Sequence, residues 1–450
     1  MTDQALKPRA DQAAAPSPAP PDPAGGRRRI LAVDATRGAA LLGMIAVHSL
    51  NDTDALGQPT WSATIFSGRA AAAFAVLTGV TIAFLTGRRR VRASAALPTM
   101  TALLVRALAI GAIGLALGYT DAATATVILP YYAVMLLLTI PLVFLPTWLV
   151  ALTGIAVAGG MPVLTHILLP RLAEPTHPNL TFGWLFTHPL QSLVELSITG
   201  MYPALTWMAY LCAGLVIGRL NLARLRTAIA LLATGTAFAV AAAVTASQLS
   251  LLALEHIWPA QYGSTLDEYE TLDLLNLGGD GTAPTSTWWW LAIDSPHTGT
   301  PLDLLGTTGT AIAFLGMMLL AARIARPVVL RWLVTAVQTP LGAAGSMTLT
   351  LYTLHTVFMS SSYDNYTPTT GFIVQLCGVL LLGLGVRATI GKGPLEALVT
   401  ALTTASRRWT TPAARRPQRA RTPGNVANMP ITGPSGGEHG AIPVGSEASR

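Results

Sequence analysis

Ile30-Leu31-Ala32-Val33-Asp34-Ala35-Thr36-Arg37-Gly38-Ala39-Ala40-Leu41-Leu42-Gly43-Met44-Ile45-Ala46-Val47-His48-Ser49-Leu50 is apolar throughout, apart from two hydroxyls and three ionisable side chains. As a helix, this run reaches about 30 Å, the thickness of a bilayer's hydrocarbon core. An ionisable group inside such a run is costly and marks a functional candidate. Asp34 and Arg37 stand one helical turn apart and can pair. Asp34, Arg37, Leu41, Met44 and His48 fall in one stripe at helical spacing. The helical rise puts His48 about 16 Å beyond Arg37. Two readings stand: anchors at the two membrane interfaces, or the polar ends of a path along one helix face.

The rest of the chain repeats the apolar pattern. Further runs lie at 64–86, 97–118, 126–145, 147–169, 200–219, 227–249, 302–322, 341–360 and 370–391. The whole sequence is 52% hydrophobic and 11% charged, with a mean hydropathy of +0.52; a soluble chain carries about 25% charged residues. The expected fold is therefore an all-α, polytopic membrane helix bundle of about ten spans. Residues 326–338, with Arg326 and Arg331 among apolar neighbours, suit an interfacial helix. Residues 394–409, ending in Arg407 and Arg408, suit the same description. The expected organisation is a disordered tail at 1–29, a membrane domain at 30–409 and a second disordered tail at 410–450.

Arginine placement predicts the orientation. With the N-terminus inside, alternate connections are basic: Arg88, Arg89, Arg90 and Arg92; Arg219, Arg224 and Arg226; Arg323, Arg326 and Arg331; then the C-terminal tail. The opposite connections hold most of the acids and one clear cation, Arg171. Both termini are thus expected in the cytoplasm, with the chain in the plasma membrane. The first run, with Asp34 and Arg37 near its start and no small-residue cleavage site, reads as a retained span and not a signal peptide.

Two long connections, 170–199 and 250–301, lie on the outer side in this topology. The second carries Trp288, Trp289 and Trp290, which suit a segment folding back to the interface. Seven of the eight histidines (48, 166, 177, 188, 256, 297 and 355) fall at or beyond the outer ends of spans, and only His439 lies in the inner tail. An imidazole serves as a general base near neutral pH, so an outward site has candidates, while His177 and His188 read as ordinary loop residues. No metal-binding spacing appears among the histidines, and Cys212 and Cys377 read as small buried hydrophobes inside spans. Arg69 lies just inside the outer end of the second span, placed either to bind a carboxylate or phosphate or to reach the surface. Thr348, Tyr352 and His355 share a helix face, which either lines a cavity or bridges helices. No P-loop, dinucleotide-binding turn or nucleophile elbow is present. The basic tail suits anionic lipid better than nucleic acid.

Val33-Asp34-Ala35-Thr36-Arg37-Gly38 resembles the Asp-x-x-Arg-Gly opening of the heparan-α-glucosaminide N-acetyltransferase-like membrane proteins. Trp61, Phe66-Ser67-Gly68-Arg69 and Phe74-Ala75-Val76-Leu77-Thr78-Gly79 resemble that group's second-span pattern. Ser295-Pro296-His297-Thr298-Gly299-Thr300, Gly345-Ser346-Met347-Thr348-Leu349-Thr350-Leu351-Tyr352 and Gly393-Pro394-Leu395-Glu396 are similar to its bacterial branch. The resemblance implies a transmembrane acyltransferase. Such an enzyme draws acetyl-CoA from the cytoplasm and acylates a hydroxyl or amine of an extracytoplasmic glycan or lipid-linked acceptor. Asp34, Arg37 and Arg69 would then hold the donor, and His48, His297 or His355 would serve the acceptor. One departure is visible: the family's histidine in the first outer loop has no counterpart between Asn51 and Thr60. The competing classes are a transporter or flippase using the same polar stripe, and a non-catalytic envelope protein.

Overall fold

The computed structural model describes residues 30–120, 125–173, 175, 179–261 and 266–411, and among these every regular element is helical. The predicted tails therefore lie almost wholly outside the described residues, as do Asp121, Glu174, His177 and His439. The elements are α1 (Leu31–Ser49), α2 (Trp61–Phe66), α3 (Arg69–Leu85), α4 (Ala96–Leu117), α5 (Leu129–Leu142), α6 (Thr147–Leu168), α7 (Phe182–Thr187) and α8 (Pro189–Val194). They continue with α9 (Ala204–Arg219), α10 (Leu225–Gln261), α11 (Glu268–Asn276), α12 (Pro301–Ala321), α13 (Val328–Gly345), α14 (Thr348–Met359), α15 (Pro368–Thr389) and α16 (Pro394–Thr410).

Helical segments occupy all ten predicted positions, but not all as simple spans. Seven helices are long and apolar enough to cross a membrane, or eight if the bent pair Pro189–Thr199 and Ala204–Arg219 forms one span. The chain is thus a multi-pass membrane protein. Of the remaining segments, α5 has only 14 residues. The predicted span 341–360 is broken at Ser346–Met347 into the end of α13 and all of α14. The predicted interfacial helix 326–338 is no separate element, because α13 runs from Val328 through to Gly345. Its first half is exposed, with Val329, Trp332 and Leu333 uncovered, and only its end packs on α1.

The connection 250–301 is also more ordered than a loop. Helix α10 has 37 residues, some 55 Å at the α-helical rise, and so outlasts its predicted end at 249. Its last turns contribute Ala253 and Ile257 to a small separate core with Ala283, Trp290 and Ile293. Trp290 is buried there, and its indole N–H donates to Ser286 Oγ at 3.0 Å. The Asp267–Glu270 capping box starts α11.

Close backbone contact organises the bundle. Between helices in lipid there is little hydrophobic driving force, so small residues that admit close van der Waals packing take its place. Gly79 of α3 lies against Leu211 and Gly214 of α9, and Gly38 of α1 lies against Leu341 of α13. α1, α3 and α9 are buried over most of their length, whereas α6 and α15 present most of their surface outward. Cys212 is buried as expected, whereas Cys377 on α15 is exposed. Asp34, Arg37 and His48 are all carried by α1, one of these inner helices.

Candidate active site

The cationic end of α1 comes first. Arg37 Nη1 donates to Asp34 Oδ1 at 3.0 Å, so the pair predicted from spacing forms. Arg37 Nη2 donates to the Leu77 carbonyl at 3.3 Å and to Thr81 Oγ1 of α3. The guanidinium is thereby held inside the bundle, where it lines a cavity of about 280 Å³. Thr78, Thr81, Arg106, Tyr132, Tyr352 and Glu396 lie on the same wall.

Arg106 adds a second cation to this cavity, and Glu396 adds one anion. Arg106 sits mid-way along α4 and lines the cavity together with Glu396. Glu396 Oε1 accepts the backbone N–H groups of Leu349 at 2.7 Å and Thr350 at 3.2 Å, and Thr350 Oγ1 donates to Oε2 at 2.6 Å. A carboxylate at a helix start satisfies orphan donors and the helix dipole together. It fastens α16 to the start of α14 and closes one side of the cavity. The helix break at Ser346 lines the same space. That placement is physically required, since irregular backbone at membrane depth is tolerated where it lines a cavity or is buried in protein.

The histidine end is built from three separate stretches. His48 Nδ1 and His355 Nε2 are 3.0 Å apart, with parallel rings whose centroids are 5.3 Å apart. His355 Nδ1 meets Gln375 Oε1 of α15, and Gln375 Nε2 donates to Ser49 Oγ at 3.1 Å. His297 arrives on the loop before α12. Thr300 starts that helix by accepting from the Asp303 N–H at 3.1 Å, while Asp303 Oδ2 accepts from Gly299 at 3.0 Å. Gly279 and Gly281 donate to the carbonyls of Pro296 at 2.9 Å and His297 at 2.8 Å. So clamped, His297 holds a left-handed φ of 57°, uncommon outside glycine.

His297 is also pinned from below. The Gly68 N–H donates to its Nε2 at 3.1 Å. Gly68 has φ 69° and stands with Pro296 3.2 Å from where a Cβ would be, so a side chain there meets both strain and a neighbour. The His297 ring lies parallel to Trp207 and edge-on to Tyr202. Burial pushes its pKa down to about 4, so the imidazole is neutral near neutral pH. Its Nδ1 is buried with no partner among the described residues. His48 and His297 flank a small void of about 30 Å³.

The two spaces share a wall. Met44, Ile128 and Tyr352 line both the large cavity and the histidine void. Of the predicted site residues, Arg37 reaches the large cavity with Asp34 bonded behind it, and His48, His297 and His355 gather at the other end. Arg69 is brought to neither: its Nη1 donates to the Thr64 carbonyl at 2.5 Å. The stripe Thr348–Tyr352–His355 does face inward, with Thr348 and Tyr352 on the cavity wall. His166, His188 and His256 lie against Trp288, Trp184 and Trp289 respectively, away from the cluster. No group of three potential metal ligands occurs among the described residues.

Sequence reasoning missed Arg106, although an arginine deep in an apolar run is itself a signal. It also missed roles for Gln375 and Glu396, whose partners are distant in sequence. The family described as heparan-alpha-glucosaminide N-acetyltransferase, catalytic, matches residues 29–254. That range includes Asp34, Arg37, His48 and Arg106; His297, His355, Gln375 and Glu396 come from beyond it. No curated protein matches the chain.

Proposed function

The chain belongs to the heparan-alpha-glucosaminide N-acetyltransferase catalytic family, and from that premise we propose that it transfers an acyl group, acetyl in the first instance, from cytoplasmic acyl-CoA across the bilayer. The acceptor in this reading is a hydroxyl or amine of an extracytoplasmic glycan or lipid-linked sugar. The protein sits in the plasma membrane with both termini cytoplasmic, as the arginine alternation predicts.

The observation that carries the reading is the shared wall of Met44, Ile128 and Tyr352 between a cationic cavity and a histidine cluster. Acyl transfer through a membrane needs both halves close together: cations for a phosphorylated donor, and a base for the acceptor.

The residues present fit an acyl-CoA donor in part of its length. Arg37 and Arg106 supply positive charge, and Thr78 supplies a hydroxyl for an amide group. A cavity of about 280 Å³ is at the small end of ligand pockets, which run from about 300 Å³ upward. It suits the narrow thioester arm and the phosphate that begins the nucleotide, with the adenosine remaining outside. One imidazole at the other end takes the proton of the acceptor hydroxyl or amine as its heteroatom attacks the thioester carbonyl. The C–S bond breaks, and the departing sulfur receives that proton. General-base assistance of this kind contributes about 10²–10⁴ in rate.

The test is purified protein in liposomes given labelled acetyl-CoA and an envelope extract. Label entering a glycan or lipid fraction, lost in His48→Ala at unchanged expression, is expected. Absence of both acceptor labelling and CoA binding would overturn the reading.

A further inference from the structure

We propose that Gln375 and His355 are positioning residues that hold His48 in a single tautomer, with its proton on Nδ1 and its Nε2 lone pair bare as the base. This rests on the acyl-transfer reading above and assigns, within it, which imidazole and which nitrogen act.

The assignment follows from counting donors and acceptors along the chain Ser49–Gln375–His355–His48. Gln375 Nε2 donates to Ser49 Oγ at 3.1 Å, which turns its carbonyl oxygen toward His355 Nδ1. A carbonyl oxygen only accepts, so His355 carries its proton on Nδ1. In a neutral imidazole the other nitrogen is then an acceptor. His355 Nε2 therefore accepts from His48 Nδ1 across their 3.0 Å contact. A hydrogen bond between two ring nitrogens holds one proton; two would set donors face to face. His48 Nε2 is left with a free lone pair, and no partner occupies it among the described residues.

The same bookkeeping removes the competitor. His297 Nε2 accepts the Gly68 N–H at 3.1 Å, so its proton sits on Nδ1. Its single in-plane lone pair is already engaged, which leaves His297 no nitrogen with which to take a proton. Its contact joins the α12 loop to the start of α3. Gln375 and His355 are both buried, so water does not compete for their hydrogen bonds, and the fixed polarity costs no reorganisation when the proton moves. When His48 Nε2 takes the acceptor's proton, the resulting imidazolium keeps Nδ1–H on His355. Nε2 then returns the proton to the departing sulfur, restoring the starting tautomer.

The test is nitrogen-15 NMR of the full chain in lipid nanodiscs with labelled histidine, the His48 signals being assigned by their loss in His48→Gln. A protonated Nδ1 and a bare Nε2 on His48 are expected in the wild-type protein. In Gln375→Leu, a mixture of His48 tautomers is expected, with kcat down about tenfold or more and KM for acyl-CoA within about twofold. Gln375→Glu, which still offers His355 an acceptor oxygen, restores the single tautomer and most of kcat. A wild-type His48 protonated on Nε2, or averaged between both nitrogens, overturns the proposal while leaving acyl transfer itself standing. The expected tautomer in a protein that transfers no acyl group sinks the functional reading and not the hydrogen-bond polarity.

Discussion

Gly345 lies so close to the carbonyl oxygen of Asp34 that a Cβ on it would overlap that oxygen. The contact sets the end of α13 against the turn of α1 that carries Arg37, and so positions the break that lines the large cavity. Gly345→Ala is expected to destabilise the bundle by about 1–3 kcal/mol, the usual cost of overpacking. Gly385→Ala on α15, where nothing stands within 4 Å, is expected to be neutral or to gain up to about 1 kcal/mol in helix propensity. Thermal inactivation in detergent reads both, and equal shifts would contradict the packing argument.

Met44 stands on the wall between the two spaces. Met44→Trp should fill the junction, abolishing acyl transfer while acyl-CoA still binds at the Arg37 end. Equilibrium binding beside a turnover assay separates the two effects. Unchanged transfer would show that the acyl group travels another way.

Arg106→Gln removes a cation from the large cavity and leaves the helix intact. A hydrogen bond to a charged group is worth about 1.5–3 kcal/mol, so KM for acyl-CoA should rise roughly ten- to a hundredfold. The change in kcat should be smaller. A loss confined to kcat would place Arg106 outside donor binding.

Burial lowers the His297 pKa from 6.5 to about 4. Between those values the unfolded chain binds a proton that the folded protein refuses. Stability is therefore complete above about pH 6.5 and falls as the pH drops toward 4. The full loss from this group is about 3 kcal/mol, at 1.36 kcal/mol per unit. His297→Asn, whose side-chain oxygen can still face Gly68, should flatten the acid limb of inactivation temperature against pH. A variant as acid-sensitive as the wild type would show that other groups set that limb.

The sequence made the helical segments legible because apolar runs of membrane length admit few other readings. It also made the Asp34–Arg37 pair and the inward stripe of α14 legible, since both depend on helical spacing alone. The break at Ser346–Met347 was not visible, because nothing in Gly345-Ser346-Met347 forbids a continuous helix and only packing against α1 selects the bend. The direction of Arg69 was not legible for a related reason: spacing gives a residue's depth but not where it points, and its guanidinium folds back on Thr64. The partnership of His355 with Gln375 joins two helices whose relative rotation no local pattern encodes. The burial of Trp290 was not legible either, because it depends on α10 continuing far enough to pack against it.

The wall of Met44, Ile128 and Tyr352 has a meaning for the cell as well as for the acyl group. A bundle with two polar spaces that share a wall, titratable rings beside one and arginines beside the other, is one layer of side chains away from conducting protons. Were that layer wet, each molecule would dissipate the electrochemical gradient its host membrane maintains, whether or not any acceptor was present. In the proposed transfer, a thioether, a branched alkyl chain and one phenol would thus double as electrical insulation, crossed by the acyl group without a continuous file of water.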